Sequence, residues 1–233
     1  MLDFGYYNMD CMQGMKEFPD KYFDLAIVDP PYGIGVGSMA YTNGVERVGH
    51  ALANRKDYRH GEWDYRPSKD YFEELFRVSK KQIIWGGNYF TDLLPPSKGF
   101  IVWDKRVQDG MSNDFADCEL AWISKGLGVA RVYRYLWNGM LQGNMKNKEE
   151  RFHPTQKPVA LYKWILNNYA KPGDKILDTH VGSASSLIAC EDFGYKYVGF
   201  EIDEEYFRLG TERLEKNRAQ MTIADLITDW RLP

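Results

Sequence analysis

With 233 residues, 44% of them hydrophobic and 27% charged, the chain has the make-up of a globular domain with one substantial core, which excludes disordered and fibrous classes. Its near-apolar runs are of strand length, well short of the roughly 20 residues that span a bilayer, and Met1-Leu2-Asp3-Phe4 lacks the basic and apolar parts of a secretory signal, so a cytoplasmic location without membrane contact is expected. The formal net charge of −3 decides nothing about a nucleic-acid partner, because a basic face can sit on an acidic body.

The predicted elements alternate between strand-like and helix-like patterns, the signature of a layered α/β sheet. Residues 23–28, Phe-Asp-Leu-Ala-Ile-Val, read as a buried strand. Residues 33–65 then carry Arg47, Arg55, Lys56 and Arg59 among Gly and Asn with little periodicity, and a loop insertion of that length is expected to act as a lid. A helix is predicted over 69–79, strands over 82–85 and 100–103, and a weaker strand over 119–123. Residues 106–151 again break the alternation, with Tyr133, Tyr135 and Trp137 among Arg131, Arg134, Lys146, Lys148 and Arg151. A helix over 156–169 has Pro158 near its start, where the missing N–H costs little. Strand 175–177, helix 185–193, strand 197–200 and helix 204–217 complete the order. No repeat or linker interrupts it, so one domain over 1–233 with two insertions is the simplest organisation. Cys11, Cys118 and Cys190 stand far apart, which predicts reduced structural thiols and no metal centre.

The strand at 23–28 runs into Asp29-Pro30-Pro31-Tyr32, and ligands of open α/β sheets bind beyond the carboxyl ends of strands. Two prolines stiffen the turn and remove two donors. The exocyclic nitrogen of adenine is a poor nucleophile because its lone pair is delocalised into the ring. The Asp29 carboxylate and the Pro30 carbonyl could accept its two N–H bonds, make it more tetrahedral and aim the lone pair at a methyl donor. Tyr32 offers a face on which an extruded base can stack. A Pro-rich surface turn capped by Asp is the purely structural alternative.

A second element is the strand 175–177 followed by Asp178-Thr179-His180-Val181-Gly182-Ser183-Ala184 and an apolar helix. Small residues in such a turn let the backbone approach a nucleoside, and Glu201, roughly twenty residues on at the end of the next strand, could accept both ribose hydroxyls. Neither GxGxxG nor GxxxxGK[ST] is present, which favours S-adenosylmethionine over NAD or ATP. Asp178 would suit the cationic amino group of its methionine moiety.

Asp29-Pro30-Pro31-Tyr32, then His153-Pro154-Thr155-Gln156-Lys157-Pro158, then the Asp178 turn resemble the amino-methyltransferases of DNA, in the motif order of their β class. Asn8-Met9-Asp10-Cys11, Trp85-Gly86-Gly87-Asn88 and Trp103-Asp104-Lys105 extend the likeness over most of the chain. The resemblance implies a Rossmann-like, mostly parallel seven-stranded sheet with helices on both faces, S-adenosyl-L-methionine as cofactor and double-stranded DNA as partner. It assigns Asp29, Pro30, Pro31 and Tyr32 to the target base. It assigns Asp10, Cys11, Thr155, Lys157, Pro158, Asp178, Gly182, Ser183 and Glu201 to the cofactor, with Asp10 at its adenine and Thr155 to Pro158 along its methionine end. Asp rather than Ser at position 29 is the form associated with adenine rather than cytosine-N4. The family usually has Asp-Pro-Phe before its turn and Gly-Ser-Gly-Thr within it. Here Thr179 and His180 replace Pro-Phe and Ala184 replaces the second Gly, so Ala184 is expected to keep a negative φ and His180 not to pack as Phe would. His153 is expected to cap or pack its turn.

The same resemblance places target recognition at 106–151, where Arg131, Arg134 and Lys146 are the expected DNA contacts; aromatics that merely anchor a solvated loop are the alternative. Dimers occur in this class, so a homodimer is one expected assembly, and restriction-modification one expected setting. A non-catalytic nucleic-acid-binding relative is the reading that the altered turn at 179–180 would support.

Overall fold

The computed structural model describes residues 1–34, 65–106, 116–138 and 141–229, the side chains of Asn138 and of 221–229 excepted. The expected lid, with Arg47, Arg55, Lys56 and Arg59, therefore lies almost wholly outside the described residues. Fifteen regular elements follow in chain order: β1 (Gly5–Asn8), α1 (Cys11–Met15), β2 (Phe23–Val28), α2 (Lys69–Val78), β3 (Ser79–Trp85), β4 (Phe100–Asp104), β5 (Cys118–Ile123), β6 (Arg131–Arg134), β7 (Trp137–Asn138), β8 (Leu141–Gln142), α3 (Val159–Tyr169), β9 (Lys175–Asp178), α4 (Ser185–Asp192), β10 (Lys196–Glu201) and α5 (Glu204–Asp229).

Eight strands form one sheet in the order β1-β10-β9-β2-β3-β5-β4-β6, and β7 and β8 form a separate small hairpin. Pairing is parallel from β1 through β3 and between β4 and β6, and antiparallel where β5 meets β3 and β4. The mostly parallel sheet is thus as expected, with eight strands rather than seven. Successive residues of the central strands go to opposite faces. Leu25 and Ile27 pack with Leu161, Ile165 and Leu166 of α3 and Leu187 of α4. Ala26 and Val28 pack with Tyr71, Phe72 and Leu75 of α2 and Met15 of α1. Helices therefore cover both faces, which is why β2 reads as a nearly continuous apolar run.

The chain leaves β2 towards β3 through α2 and leaves β9 towards β10 through α4, in opposite directions from two adjacent strands. The carboxyl ends of β2 and β9 therefore flank the topological switch point, where such sheets open a ligand crevice. Two boundaries move in ways that matter to that crevice. β3 starts at Ser79 directly after α2, because Lys80 reaches Asp24 on β2 (2.6 Å) and hides a paired strand behind a polar sequence. α3 starts at Val159, not 156, because Pro158 is its extended N-cap (φ −71, ψ 147). Thr155, Gln156 and Lys157 are thereby left outside the helix as a strap that leaves the turn at His153, with Gln156 and Lys157 buried.

Candidate active site

A cleft of about 880 Å³, counted out to its open mouth, lies over the ends of β2 and β9. Asp29 to Tyr32 form one wall, His180 to Ser183 and Glu201 to Asp203 the other, and Thr155 to Lys157 cross between them. The structure brings these sequence-distant motifs into one space. Asp10, Cys11, Pro158 and Asp178 are not among the described residues that line it.

Asp29 is held at the end of β2 by two donors. The Tyr32 hydroxyl donates to Oδ1 at 2.7 Å and the Lys157 ammonium donates to Oδ2. Lys157, with its side chain 2% exposed, also pairs with Glu119 Oε2 at 3.2 Å, and Glu119 Oε1 takes Lys105 Nζ at 3.0 Å. A chain of alternating charges thus runs from Lys105 through Glu119 and Lys157 to Asp29. Burial pushes the Asp29 carboxyl up from its ordinary value, against the pull of Lys157. Burial draws Lys157 down, but the Asp29 and Glu119 carboxylates outweigh it and hold the ammonium above its ordinary value. Lys157 lines the cleft with its ammonium facing Asp29 of the target-base motif, and Glu119 is a site residue that sequence reasoning missed.

Tyr32 is placed by its neighbours. Tyr89 stacks on its ring at 4.9 Å and 21°, so one face is already covered. Gly86 has a φ of +68, and a Cβ there would come within 2.2 Å of the Tyr32 ring. Gly87 is equally restricted, since a Cβ would meet the Trp122 backbone nitrogen at 2.9 Å. Gly86 therefore makes the space in which Tyr32 sits, and Gly87 lets the same turn close on β5 at Trp122. No described residue donates to the Pro30 carbonyl.

On the opposite wall Gly182 (φ +55) donates its N–H to Glu201 Oε2 at 2.8 Å, and Asp203 donates its own to Oε1 at 2.9 Å. Ser183 lines the cleft while its carbonyl and its neighbour Ser185 hold Arg213. Thr155 Oγ1 sits 3.2 Å from His153 Nδ1, and the His153 ring packs edge-on against Tyr206 at 4.4 Å, the packing role expected of it.

Three expectations about the turn are corrected. Asp178 is 2% exposed and sits behind the wall, its oxygens accepting the His180 N–H (3.0 Å) and the Ser186 hydroxyl. It shapes the turn from within and does not reach the cleft; burial raises its pKa to about 7. Ala184 has a φ of +61, not a negative one, because it caps α4 from the left-handed region, a strain of roughly 1–2 kcal/mol for a residue with a Cβ. His180 does pack as an aromatic: its ring meets Tyr71 edge-on at 5.3 Å while lining the cleft.

Asp10 is spent largely on capping α1, its Oδ1 accepting Met12 N–H at 2.6 Å and Gln13 N–H at 3.2 Å. It remains near enough for its charge to act on His180. Burial pushes the Cys11 thiol up to about 12, so it is inert packing beside α1.

The expected DNA contacts are scattered. Arg134, whose side chain is 78% exposed, ends β6 beside Asp104 (3.3 Å), at the same sheet edge as Asp29. Arg131 begins β6, at the other end of this four-residue strand and at the opposite edge. Lys146 is exposed on the turn that Asn144 caps. The aromatics of this stretch are core anchors: Tyr133 stacks on Trp164 at 5.0 Å and Trp137, 7% exposed, donates to the Gln156 carbonyl at 2.8 Å. Stacking on bases is not open to Trp137, and its basic neighbours carry whatever contact the face makes.

Among the described residues no cluster of His, Cys, Asp and Glu could hold a metal ion, and no helix is long and apolar enough to cross a membrane.

Comparison with known proteins agrees with this geometry. A family described as DNA methylase matches residues 104–212. YubD of Escherichia coli (strain K12), named as a candidate methylase, is 27% identical over 235 residues, 96% of each chain. The type II methyltransferase M.HpaI of Haemophilus parainfluenzae is 24% identical over 88% of this chain and 72% of its own. Among solved structures, the M1.HpyAVI–SAM complex superposes with a TM-score of 0.53 at 19% identity, covering 89% of this chain and 98% of that one. The cytosine-N4-specific PvuII DNA methyltransferase gives 0.56 at 14% identity over 94% and 91%. These two likenesses concern the fold. The matched model spans less than half of the chain, and with the type II relatives it makes DNA methylases the proteins to which this chain is similar.

Proposed function

We propose that the protein transfers a methyl group from S-adenosyl-L-methionine to the exocyclic N6 of an adenine flipped out of double-stranded DNA. The observation that carries this reading is that the Asp29 carboxylate opens on the same cleft as Gly182 and Glu201. That cleft suits an adenosyl ligand. The Glu201 oxygens are oriented by two backbone N–H groups, and Gly182 brings the main chain to the wall without a side chain.

The cofactor would supply a methyl group activated on a sulfonium sulfur. The remaining work falls to the protein. Each Asp29 oxygen accepts one described bond and keeps a lone pair for an amine N–H. The Pro30 carbonyl accepts the other N–H, so the nitrogen lone pair is held towards the methyl side. Lys157 opposes protonation of the buried Asp29, which must stay anionic to balance the positive charge that grows on the nitrogen. Tyr32 fixes the carboxylate through its hydroxyl and presents its uncovered face to the base. The sulfonium end would lie by Thr155 and Ser183 and the ribose by Glu201. Residues 1–233 act as one domain in this proposal, with recognition through the 106–151 region, a homodimer as the accompanying assembly and the cytoplasm as its place.

The test is nucleoside mass analysis after incubation of unmethylated DNA with labelled cofactor. N6-methyladenine should appear with the wild type and vanish with Asp29→Ala, while S-adenosylhomocysteine still binds that variant. N4-methylcytosine in its place would move the reading to the alternative target. An unlabelled DNA pool would leave only the non-catalytic alternative.

A further inference from the structure

The residues that replace Pro-Phe after Asp178 form a hydrogen-bonded array. The Tyr71 hydroxyl lies 2.7 Å from Thr179 Oγ1, which lies 2.9 Å from His180 Nδ1. Tyr71 and Thr179 are buried, at 4% and 2% exposure, and of the three only His180 lines the cleft. The edge-on contact with Tyr71 holds the imidazole so that Nδ1 faces the wall.

Two proton arrangements along the array remain once the one in which Tyr71 and Nδ1 both donate to Thr179 Oγ1 is set aside, since it leaves the buried Thr179 proton without an acceptor among the described residues. In the first, Tyr71 donates to Thr179 and Thr179 donates to His180 Nδ1. In the second, Nδ1 donates to Thr179 and Thr179 to Tyr71, which leaves the buried Tyr71 proton without an acceptor among the described residues. A buried donor left unpaired costs more than a typical hydrogen bond gains, so the first arrangement prevails. Nδ1 is then an acceptor, and the single proton of the neutral ring sits on Nε2. Burial keeps the ring neutral, with its pKa lowered to about 4.

We infer that His180 presents a fixed Nε2–H donor to the cleft and uses it to select a purine ring nitrogen of the adenosyl ligand. A fixed N–H donor matches a purine ring nitrogen, which only accepts. A phenyl ring at position 180 would give stacking area and no such discrimination.

The inference rests on the adenosyl reading of the cleft, and calorimetry separates the two. S-adenosylhomocysteine and its 1-deaza, 3-deaza and 7-deaza analogues are titrated into the wild type, His180→Phe and Thr179→Val. The wild type should bind the parent and bind the 1-deaza or the 7-deaza analogue about tenfold more weakly, the loss of one neutral hydrogen bond. His180→Phe should bind parent and analogues alike. Nitrogen-15 NMR should find the Nε2–H tautomer at His180 in the wild type, and a mixture of tautomers in Thr179→Val, which keeps the shape of the array but removes the donor to Nδ1. Equal binding of all four ligands by the wild type, discrimination that survives His180→Phe, or an Nδ1–H tautomer overturns the inference alone. Failure of S-adenosylhomocysteine itself to bind overturns the adenosyl reading and the inference with it.

Discussion

Replacing Lys157 with Met keeps the length of the side chain and deletes the charge on which two carboxylates lean. Lys157 is 2% exposed and sits between Asp29 and Glu119, so neither carboxylate gains water when the ammonium goes. Breaking a buried ion pair from one side costs about 3–5 kcal/mol, because the remaining charge stays desolvated. Here Lys105 still supports Glu119 at 3.0 Å, so the larger part of the loss falls on Asp29. Burial already raises the Asp29 pKa with Lys157 present, and removing the ammonium raises it further. A carboxyl whose folded pKa lies above its unfolded value stabilises the fold below the unfolded pKa, and that stability is lost as pH rises through the folded pKa. The variant should therefore be weakest in alkali. Urea unfolding at pH 5 and pH 8 measures this: a deficit of about 3–5 kcal/mol at pH 8 should be smaller at pH 5, the direction in which protonation of Asp29 relieves it. The acid limb of the methyl-transfer rate should move to higher pH in parallel. A deficit under about 1 kcal/mol, or one equal at both pH values, would refute the argument that Lys157 compensates Asp29.

Three further outcomes follow from particular residues. Gly86→Ala would put a Cβ 2.2 Å from the Tyr32 ring at a φ of +68, so it should destabilise by at least about 1–2 kcal/mol and depress turnover more than cofactor binding; an unaffected enzyme would remove Gly86 from the support of Tyr32. Asp178 has a folded pKa of about 7 against an ordinary 3.8, so its contribution is lost as pH rises from about 4 through 7. Asp178→Asn, whose amide can donate to Ser186, should match the wild type at pH 4 and exceed it by as much as roughly 4 kcal/mol at pH 8 in urea unfolding; parallel stability curves would contradict the assignment. Arg134→Ala should weaken DNA binding and lower the salt slope by about one, whereas Arg131→Ala at the far edge should leave it unchanged. Equal slopes for the two variants would remove β6 orientation from the recognition argument.

What the sequence revealed and what it hid have physical causes. β2, β4, β9 and β10 were legible because each has a run of buried apolar residues covered on both faces, flanked in β9 and β10 by charged ends. β1 and β6 were not, because they are edge strands with one face open and short, mixed sequences. The tetrapeptide Asp29 to Tyr32 and the Gly182 turn could be read because stiff or small residues are demanded at those points of the backbone. The Lys157–Glu119 contact could not, because it joins a strap before α3 to the start of β5 and depends on the antiparallel entry of that strand. The inward direction of Lys157 had one available signal: Pro158 delays α3 and keeps its predecessor extended. Positive φ at Ala184 had none, since alanine carries no preference for that region. Trp137 and Tyr133 looked like base-stacking residues because spacing alone does not tell an anchor from a contact.

The central claim is that Asp29 and the Pro30 carbonyl hold the amine of an extruded base. A crystal structure with S-adenosylhomocysteine and a DNA duplex carrying the methylation site measures it most directly. The account predicts the target N6 within about 3.2 Å of an Asp29 carboxylate oxygen and of the Pro30 carbonyl oxygen. A flipped base whose amine lies beyond hydrogen-bond reach of both, with Asp29 still closed on Lys157 and Tyr32, would contradict it.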